Sequence, residues 1–392
     1  MKLSKYFMMA AASLALFACS NDEDIPGLNG EGTKSVYLKF EGLSTGTTTR
    51  TTGVAKSGGA IGFDNITVYF TNASGVIKET QTLDSKVSDW SKLSTTGHLF
   101  HGIPNTVEKV YVVGNAEGKG LTGTNISDIK AQSLQVAKEQ DFEDVILFGA
   151  DESIDPVTED DNITDDQGHT LLYKAEVMLA PFVSRFEIAG IQCENLTDKY
   201  SKITLEAIGL MDYNNKFTVG GAASEEMTID NILEPGSTAE SGKYIFGEVS
   251  DSESNNYTNY KWAWDKISGV DLTENTTVHY PSTGEDRYVY QFCPLQIGQE
   301  GPKKNVQIKL AVDAFLKGTN AKDPFGAVVT ASFNKTDGKP LEAFQAGKIY
   351  KIDSYKFKVE NVKPWNPDEE ICVNVVVKVQ NWEVVALTPV FE

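Results

Sequence analysis

At 392 residues the chain is long enough for two domains of ordinary size, and it carries a formal net charge of −20. That acidity excludes a nucleic-acid partner, because phosphate binding needs clustered Lys and Arg, and it equally excludes a basic patch for anionic lipid. Cysteines stand only at 19, 193, 293 and 372, which is neither a disulfide framework nor a zinc-ligand pattern.

The first residues read as a secretory signal, residues 1–18. Lys2 and Lys5 form a basic start, and the apolar run Tyr6 to Ala18 is shorter than the ~20 residues that span a bilayer. It ends in Leu16-Phe17-Ala18-Cys19, a lipobox, so Cys19 is the expected lipidation site and the link to a membrane. Acidic residues follow directly, Ser20-Asn21-Asp22-Glu23-Asp24, in the manner of surface-exported lipoproteins. Residues 19–34, rich in Asn, Gly and acid, form the expected tether.

Strand patterns then recur. Val36, Leu38 and Phe40 alternate and put three apolar side chains on one face, as a strand at a sheet edge plugging a groove would. Further β-rich runs lie at 66–70, 110–113, 145–148, 182–188, 203–210, 287–292, 306–312 and 328–333, with turns rich in Gly, Asn, Asp and Thr between them. The stretch Ser127 to Gln140 predicts a single helix, N-capped by Asn125 or Ser127. The fold class is therefore mainly β, a sandwich with one or two short helices, and the domain boundary falls near residue 175, just beyond the acidic loop Asp151 to Gln167.

Motifs that suggest chemistry dissolve on inspection. Gly42-Leu43-Ser44-Thr45-Gly46 matches a serine elbow as a string, but no helix-forming segment follows it. The string of glycines at 118, 120 and 123 matches a dinucleotide fingerprint, but βαβ repeats are absent. His98 and His101 face opposite sides of a strand and lack further ligands at metal spacing. The acidic loop has oxygen ligands enough for calcium but not the fixed order of a calcium loop, and reads as a solvated charge run. Trp262 and Trp264 alternate on a strand and read as packing residues rather than a sugar platform. Cys193, Cys293 and Cys372 read as buried thiols, with a single 193–293 bridge as the alternative. No catalytic constellation, cofactor site or metal site is expected, and the chain is read as no enzyme.

Dispersed along this whole length are segments that together resemble the Bacteroidales fimbrillin (FimA-like) family of lipoprotein pilins. They comprise the lipobox, Thr49-Arg50-Thr51, Val110 to Asn115, Val183 to Glu187, Tyr288 to Pro294, Ala346 to Tyr350 and Val373 to Trp382. The resemblance implies two transthyretin-like (Greek-key) β-sandwich domains, placed at 51–175 and 176–370. It also implies polymerisation by strand exchange after proteolytic removal of an N-terminal strand, placed at 35–50, with the donor segment at 371–392.

The residues support that mechanism on their own terms. Arginines stand only at 50, 185 and 287, and Arg50 alone falls among turn residues with few core candidates, where proteolysis concentrates. Cleavage between Arg50 and Thr51 separates the lipid and the strand of Val36, Leu38 and Phe40 from the remainder. A vacated groove beside unpaired backbone groups is a template for another strand. Val373, Val375, Val377 and Val379 alternate, and Trp382 and Val384 open a second apolar run; this C-terminal segment is the expected donor, as one strand or as a hairpin. The competing reading makes Val373 to Val379 complete the chain's own sheet, with only the last strand donated.

The function expected is a fimbrial stalk subunit, a head-to-tail polymer with copies of itself. It reaches the outer membrane as a lipid-anchored precursor and ends in an extracellular fimbria. The alternative is a tip or anchor subunit, or a stand-alone surface lipoprotein that binds glycan or a host protein.

Overall fold

A computed structural model describes residues 32–43, 60–87, 90–139, 144–164, 171–196, 199–211, 213–227, 264–272, 278–279, 288–294, 306–319, 321–364, 372–381 and 384–386. In chain order the strands are β1 (Thr33–Phe40), β2 (Ile61–Phe63), β3 (Asn65–Thr71), β4 (Ile77–Asp84), β5 (His98–Pro104) and β6 (Lys109–Gly114). The helix α1 (Ile126–Lys130) comes next, then β7 (Ser133–Gln135), β8 (Leu147–Asp151), β9 (Asp155–Pro156), β10 (Leu172–Val177) and β11 (Ala180–Pro181). There follow β12 (Ser184–Ile188), β13 (Gly190–Glu194), β14 (Tyr200–Met211), β15 (Tyr213–Thr218), β16 (Ala223–Met227), β17 (Trp264–Leu272), β18 (Val278–His279) and β19 (Tyr288–Phe292). The chain closes with β20 (Gln307–Leu316), β21 (Lys322–Lys335), β22 (Lys348–Ile352), β23 (Tyr355–Lys358), β24 (Lys363–Pro364), β25 (Cys372–Asn381) and β26 (Val384–Ala386). The mainly-β sandwich class is borne out.

In the first half, a four-stranded sheet of order β5-β1-β10-β9 faces a five-stranded sheet of order β11-β8-β6-β3-β4. The alternation of the sequence sends apolar side chains into the space between them. Phe70 of β3 meets Phe100 of β5 edge-on at 5.4 Å, and Ile66, Val68, Val110 and Val112 are buried. Hydrophobic faces of two sheets can be hidden only against each other, which fixes the two-layer arrangement.

The second half is built on a large sheet of order β17-β14-β20-β21-β25-β22-β12-β19, with β24 added alongside β21. Two of its strands leave it together. β12 and β22 run parallel in the large sheet, and their continuations β13 and β23 run parallel again in a small sheet with β18. The Tyr355 hydroxyl, fully buried on β23, lies 3.0 Å from Thr330 Oγ1 on β21 and ties the small sheet to the large one. Phe186 of β12 is the hub of the core, stacked on Phe292 at 4.5 Å and Phe333 at 5.2 Å and meeting Phe344 edge-on at 5.3 Å. Aromatic pairs in these geometries add to plain burial.

Two expectations need correction. Sheet membership changes between Pro181 and Ser184, not near residue 175, because β10 spans that position and pairs with β1 while β11 pairs with β8. The helix expected over 127–140 is only Ile126–Lys130. Asn125 does cap it, its side chain accepting from the Ser127 amide while Asp128 accepts from the Asn125 amide. Beyond it, amides of Gly220 and Val219 bond the carbonyls of Lys130 and Gln132, and β7 pairs with β15, so tertiary pairing overrides helical propensity there. Cys193 and Cys293, by contrast, are free buried thiols as expected, and the alternative bridge between them is not formed.

Truncating the hub, Phe186→Ala, removes the ring contacts with Phe292, Phe333 and Phe344 and a fourth with Tyr350 at 6.0 Å, and should cost about 3–5 kcal/mol of unfolding free energy, read as a fall in the denaturant midpoint. A loss under ~1 kcal/mol would contradict the central place given to this ring.

Candidate functional site

The sequence directs attention to the two ends of the chain. Val36, Leu38 and Phe40 are buried as expected, at 0%, 0% and 3% exposure, but β1 does not lie at an edge. It is an interior strand, parallel to β10 on one side (Val36↔Tyr173, Leu38↔Ala175, Phe40↔Val177) and antiparallel to β5 on the other (Val36↔Phe100, Leu38↔His98). The reason is that both neighbours are themselves amphipathic strands whose apolar faces line the same core, so β1 fills a gap between them. The edge expectation is corrected, and the gap proves deeper: it has two backbone walls instead of one.

Lys34, Ser35 and Tyr37 of β1 have seats of their own. Lys34 is buried with its ammonium donating to the Val107 carbonyl and lying 3.9 Å from the centre of the Tyr173 ring. Burial pushes its pKa below the usual lysine value, against the pull of Glu108. Ser35 Oγ lies 3.1 Å from His101 Nδ1. The Tyr37 ring covers Gly97, whose φ of 82° and whose missing Cβ, which would come within 2.3 Å of the ring, both demand glycine.

The outer wall is braced separately. β9 pairs with β10 on the side away from β1, and Lys174 of β10 bonds Asp161 of the acidic loop at 2.6 Å. The Lys174 ammonium, helped by the Thr158 amide and hydroxyl, holds the Asp161 carboxyl at about 2, well below the usual range. This gives the acidic run a structural role that its composition did not disclose. Among the described residues there is no cluster of three or more His, Cys, Asp or Glu arranged to hold a metal ion.

At the other end, β25 is not a loose donor in the folded chain. It lies between β21, parallel, and β22, antiparallel, with Val373, Val375 and Val377 buried and Val379 at 46% exposure. Within the single folded chain these valines are thus paired as the competing reading has it. Val384 begins β26, which pairs parallel with β2 of the first half. Trp382, Cys19, Arg50 and Thr51 lie outside the described residues, as do Trp262, Arg287, Asp165 and Asp166. Arg185, by contrast, is fully buried and paired with Glu187 at 2.6 Å, out of reach of any protease while the fold persists.

The walls β5 and β10, the Lys34 seat and the β2–β26 pairing were not read from the sequence. Tyr173, Ala175 and Val177 do alternate with Leu172, Lys174 and Glu176, and that period was the available signal for β10.

No family model matches the chain, and no curated protein matches it. Solved structures do. One assigned to cell adhesion from Bacteroides eggerthii aligns with 92% of this chain and 100% of its own at TM-score 0.53 and 15% identity. Another assigned to cell adhesion, from Parabacteroides distasonis, aligns over 91% and 98% at TM-score 0.52 and 13% identity. A fimbrilin from Porphyromonas gingivalis aligns over 90% and 98% at TM-score 0.50 and 12% identity. This chain shares their fold along nearly its whole length.

Two measurements check the geometry. Gly97→Ala should lower the unfolding free energy by more than ~1 kcal/mol, since it adds both strain and a clash, and Tyr37→Ala in the same chain should restore part of the loss; no loss in the single variant would refute the seat. Asp161 has a folded pKa below its unfolded value, so its contribution is present above about pH 4 and is lost as pH falls through about 2. The stability advantage of the natural chain over Asp161→Asn should accordingly vanish across that window in pH-dependent denaturation, and an advantage that persists at pH 2 would speak against the pair.

Proposed function

We infer that this chain is the subunit of a bacterial surface fimbria, exported as a lipoprotein on Cys19, cut between Arg50 and Thr51, and polymerised by strand exchange. The observation that carries this reading is β1: a strand from the start of the chain, completing the interior of a sheet, joined to the rest by a segment that contains Arg50. An ordinary sandwich gains nothing from filling an inner position with a strand that one cut can detach.

Loss of β1 exposes the seats of Val36, Leu38 and Phe40, each worth about 1.5–3 kcal/mol on full burial. It also strips hydrogen-bond partners from β5 and β10, at on the order of 1–3 kcal/mol for each group left buried and unmade. A strand from a second copy relieves both costs. Because Cys372–Asn381 is paired on both sides within its own chain, the part offered to the next copy is the run after it, from Trp382 and Val384 onward. Such a contact is heterologous and does not close, so it builds a filament. The fold shared with the Porphyromonas gingivalis fimbrilin and with the cell-adhesion structures agrees with this role and with a position at the cell surface. The stalk is the position favoured over tip or anchor, because the chain offers both a detachable strand and an apolar C-terminal run. Nothing in the work assigned to it requires an enzyme.

An Arg-specific protease applied to the unlipidated protein tests the reading. Cleavage after Arg50 should release the N-terminal strand and yield polymers, seen by sizing and electron microscopy. Removal of residues 382–392 should abolish polymers while leaving the subunit folded. Complete cleavage after Arg50 with β1 retained, and no polymer at high concentration, would overturn it.

A further inference from the structure

Phe63 is the residue at which the two ends of the chain meet. Its ring faces Phe40, the last residue of β1, edge-on at 5.9 Å, and faces Trp90 at 5.5 Å. Its backbone carries the C-terminal strand, in the register Ile61↔Val384, Gly62↔Val385 and Phe63↔Ala386. Asn115, itself at a φ of 56°, steadies this short segment from behind by donating to the Gly62 carbonyl at 2.9 Å and the Val145 carbonyl at 2.8 Å.

β2 is three residues long and among the described residues pairs with β26 alone. A two-stranded ribbon of that length has no stability of its own. What holds it flat is the burial of Ile61 and Phe63, and Phe40 supplies one wall of the Phe63 seat. Take β1 away and Phe63 loses an aromatic neighbour on the very residue that pairs with Ala386.

We propose that Phe40, Phe63 and the β2–β26 pairing form a latch: the C-terminal strand is held down while β1 is in place and is freed when β1 departs. The inference rests on the reading above, in which β1 is excised and the C-terminal strand is exchanged. It makes the opening of the acceptor groove and the release of the donor a single event, so a subunit that still carries β1 offers neither. Coupling of this kind is reciprocal: whatever factor β1 imposes on the C-terminal strand, that strand imposes on β1.

Hydrogen exchange on the full chain, with Cys19→Ser to keep it free of lipid, decides the matter without any cleavage. Phe40→Ala should speed exchange of the amides of residues 384–386 about three- to tenfold, the range expected for one aromatic contact. Leu38→Ala, which thins the same strand but keeps the Phe40–Phe63 contact, should change them less than twofold. Equal acceleration in both variants means general loosening and overturns the latch, as does acceleration in neither. If Phe40→Ala loses protection in β3 and β6 and so fails to fold, deletion of residues 384–392 is the second test. It should speed exchange in β1 by the factor seen in the other direction or, absent that value, at least threefold; unchanged rates overturn the proposal. Polymers that form after cleavage while these rates stay fixed would sink the latch and leave the fimbrial reading standing. Rates that shift in a cleaved protein that never polymerises would do the reverse.

Discussion

A strand from the beginning of the chain closes the middle of the first sheet, and the sandwich depends on that insertion. β1 supplies hydrogen bonds to β10 and β5 at once, and the three residues Val36, Leu38 and Phe40 fill the core beneath them. Its seats are specific at several points: a buried ammonium under Tyr173, a tyrosine ring on a glycine, a phenylalanine against Phe63. Strand edges exposed to water invite pairing with other chains. Here two such edges are kept covered by a segment that a single covalent connection joins to everything that follows.

The second half is organised differently, around strands that pass from one sheet to the other. β12 and β22 change layer side by side, and the aromatic cluster around Phe186 sits where they do so. On the opposite face of β12 the Arg185–Glu187 pair is fully buried. Burial depresses the arginine pKa against the pull of its carboxylate, yet the pair is made at 2.6 Å. A buried pair of this kind adds little net stability, but losing one member would leave the other charge buried without its nearest counter-ion. β25 belongs to this half, and its alternating valines serve the chain's own sheet.

The class of the fold was legible in local pattern, because two-residue alternation is a property of each strand by itself. Val36 to Phe40, Ile66 to Phe70, Val110 to Val113 and Val373 to Val377 all announce strands, and each is one. What local pattern does not carry is the identity of the neighbour. β1 finds β10 far along the chain, and no feature of Val36-Tyr37-Leu38 distinguishes an inner position from an edge. β4, reading Ile-Lys-Glu-Thr-Gln-Thr-Leu-Asp, passed unnoticed because its inner face is only half-buried and carries Glu79 and Gln81 between its apolar ends, so the edge strand shows little hydropathy contrast. The helix after Asn125 was readable at its cap and misjudged in length, since its end is set by amides from residues 219 and 220, well outside any local window.

The gap between β5 and β10 has the width of one strand, with neighbours on either side at about 4.8 Å spacing. It therefore has a valence of one. Under the proposed strand exchange, a monomer with a single acceptor of this kind and a single apolar tail is, in the language of polymer chemistry, bifunctional, and bifunctional monomers grow only as linear chains. Branching would need a second gap or a second tail. By the same count, a copy without its last strand can add at one end only, while a copy that keeps β1, with groove filled and C-terminal strand held down, does not add at all. Under the proposed strand exchange such a truncated copy acts as a chain terminator, so filament length becomes a matter of stoichiometry between complete and truncated copies.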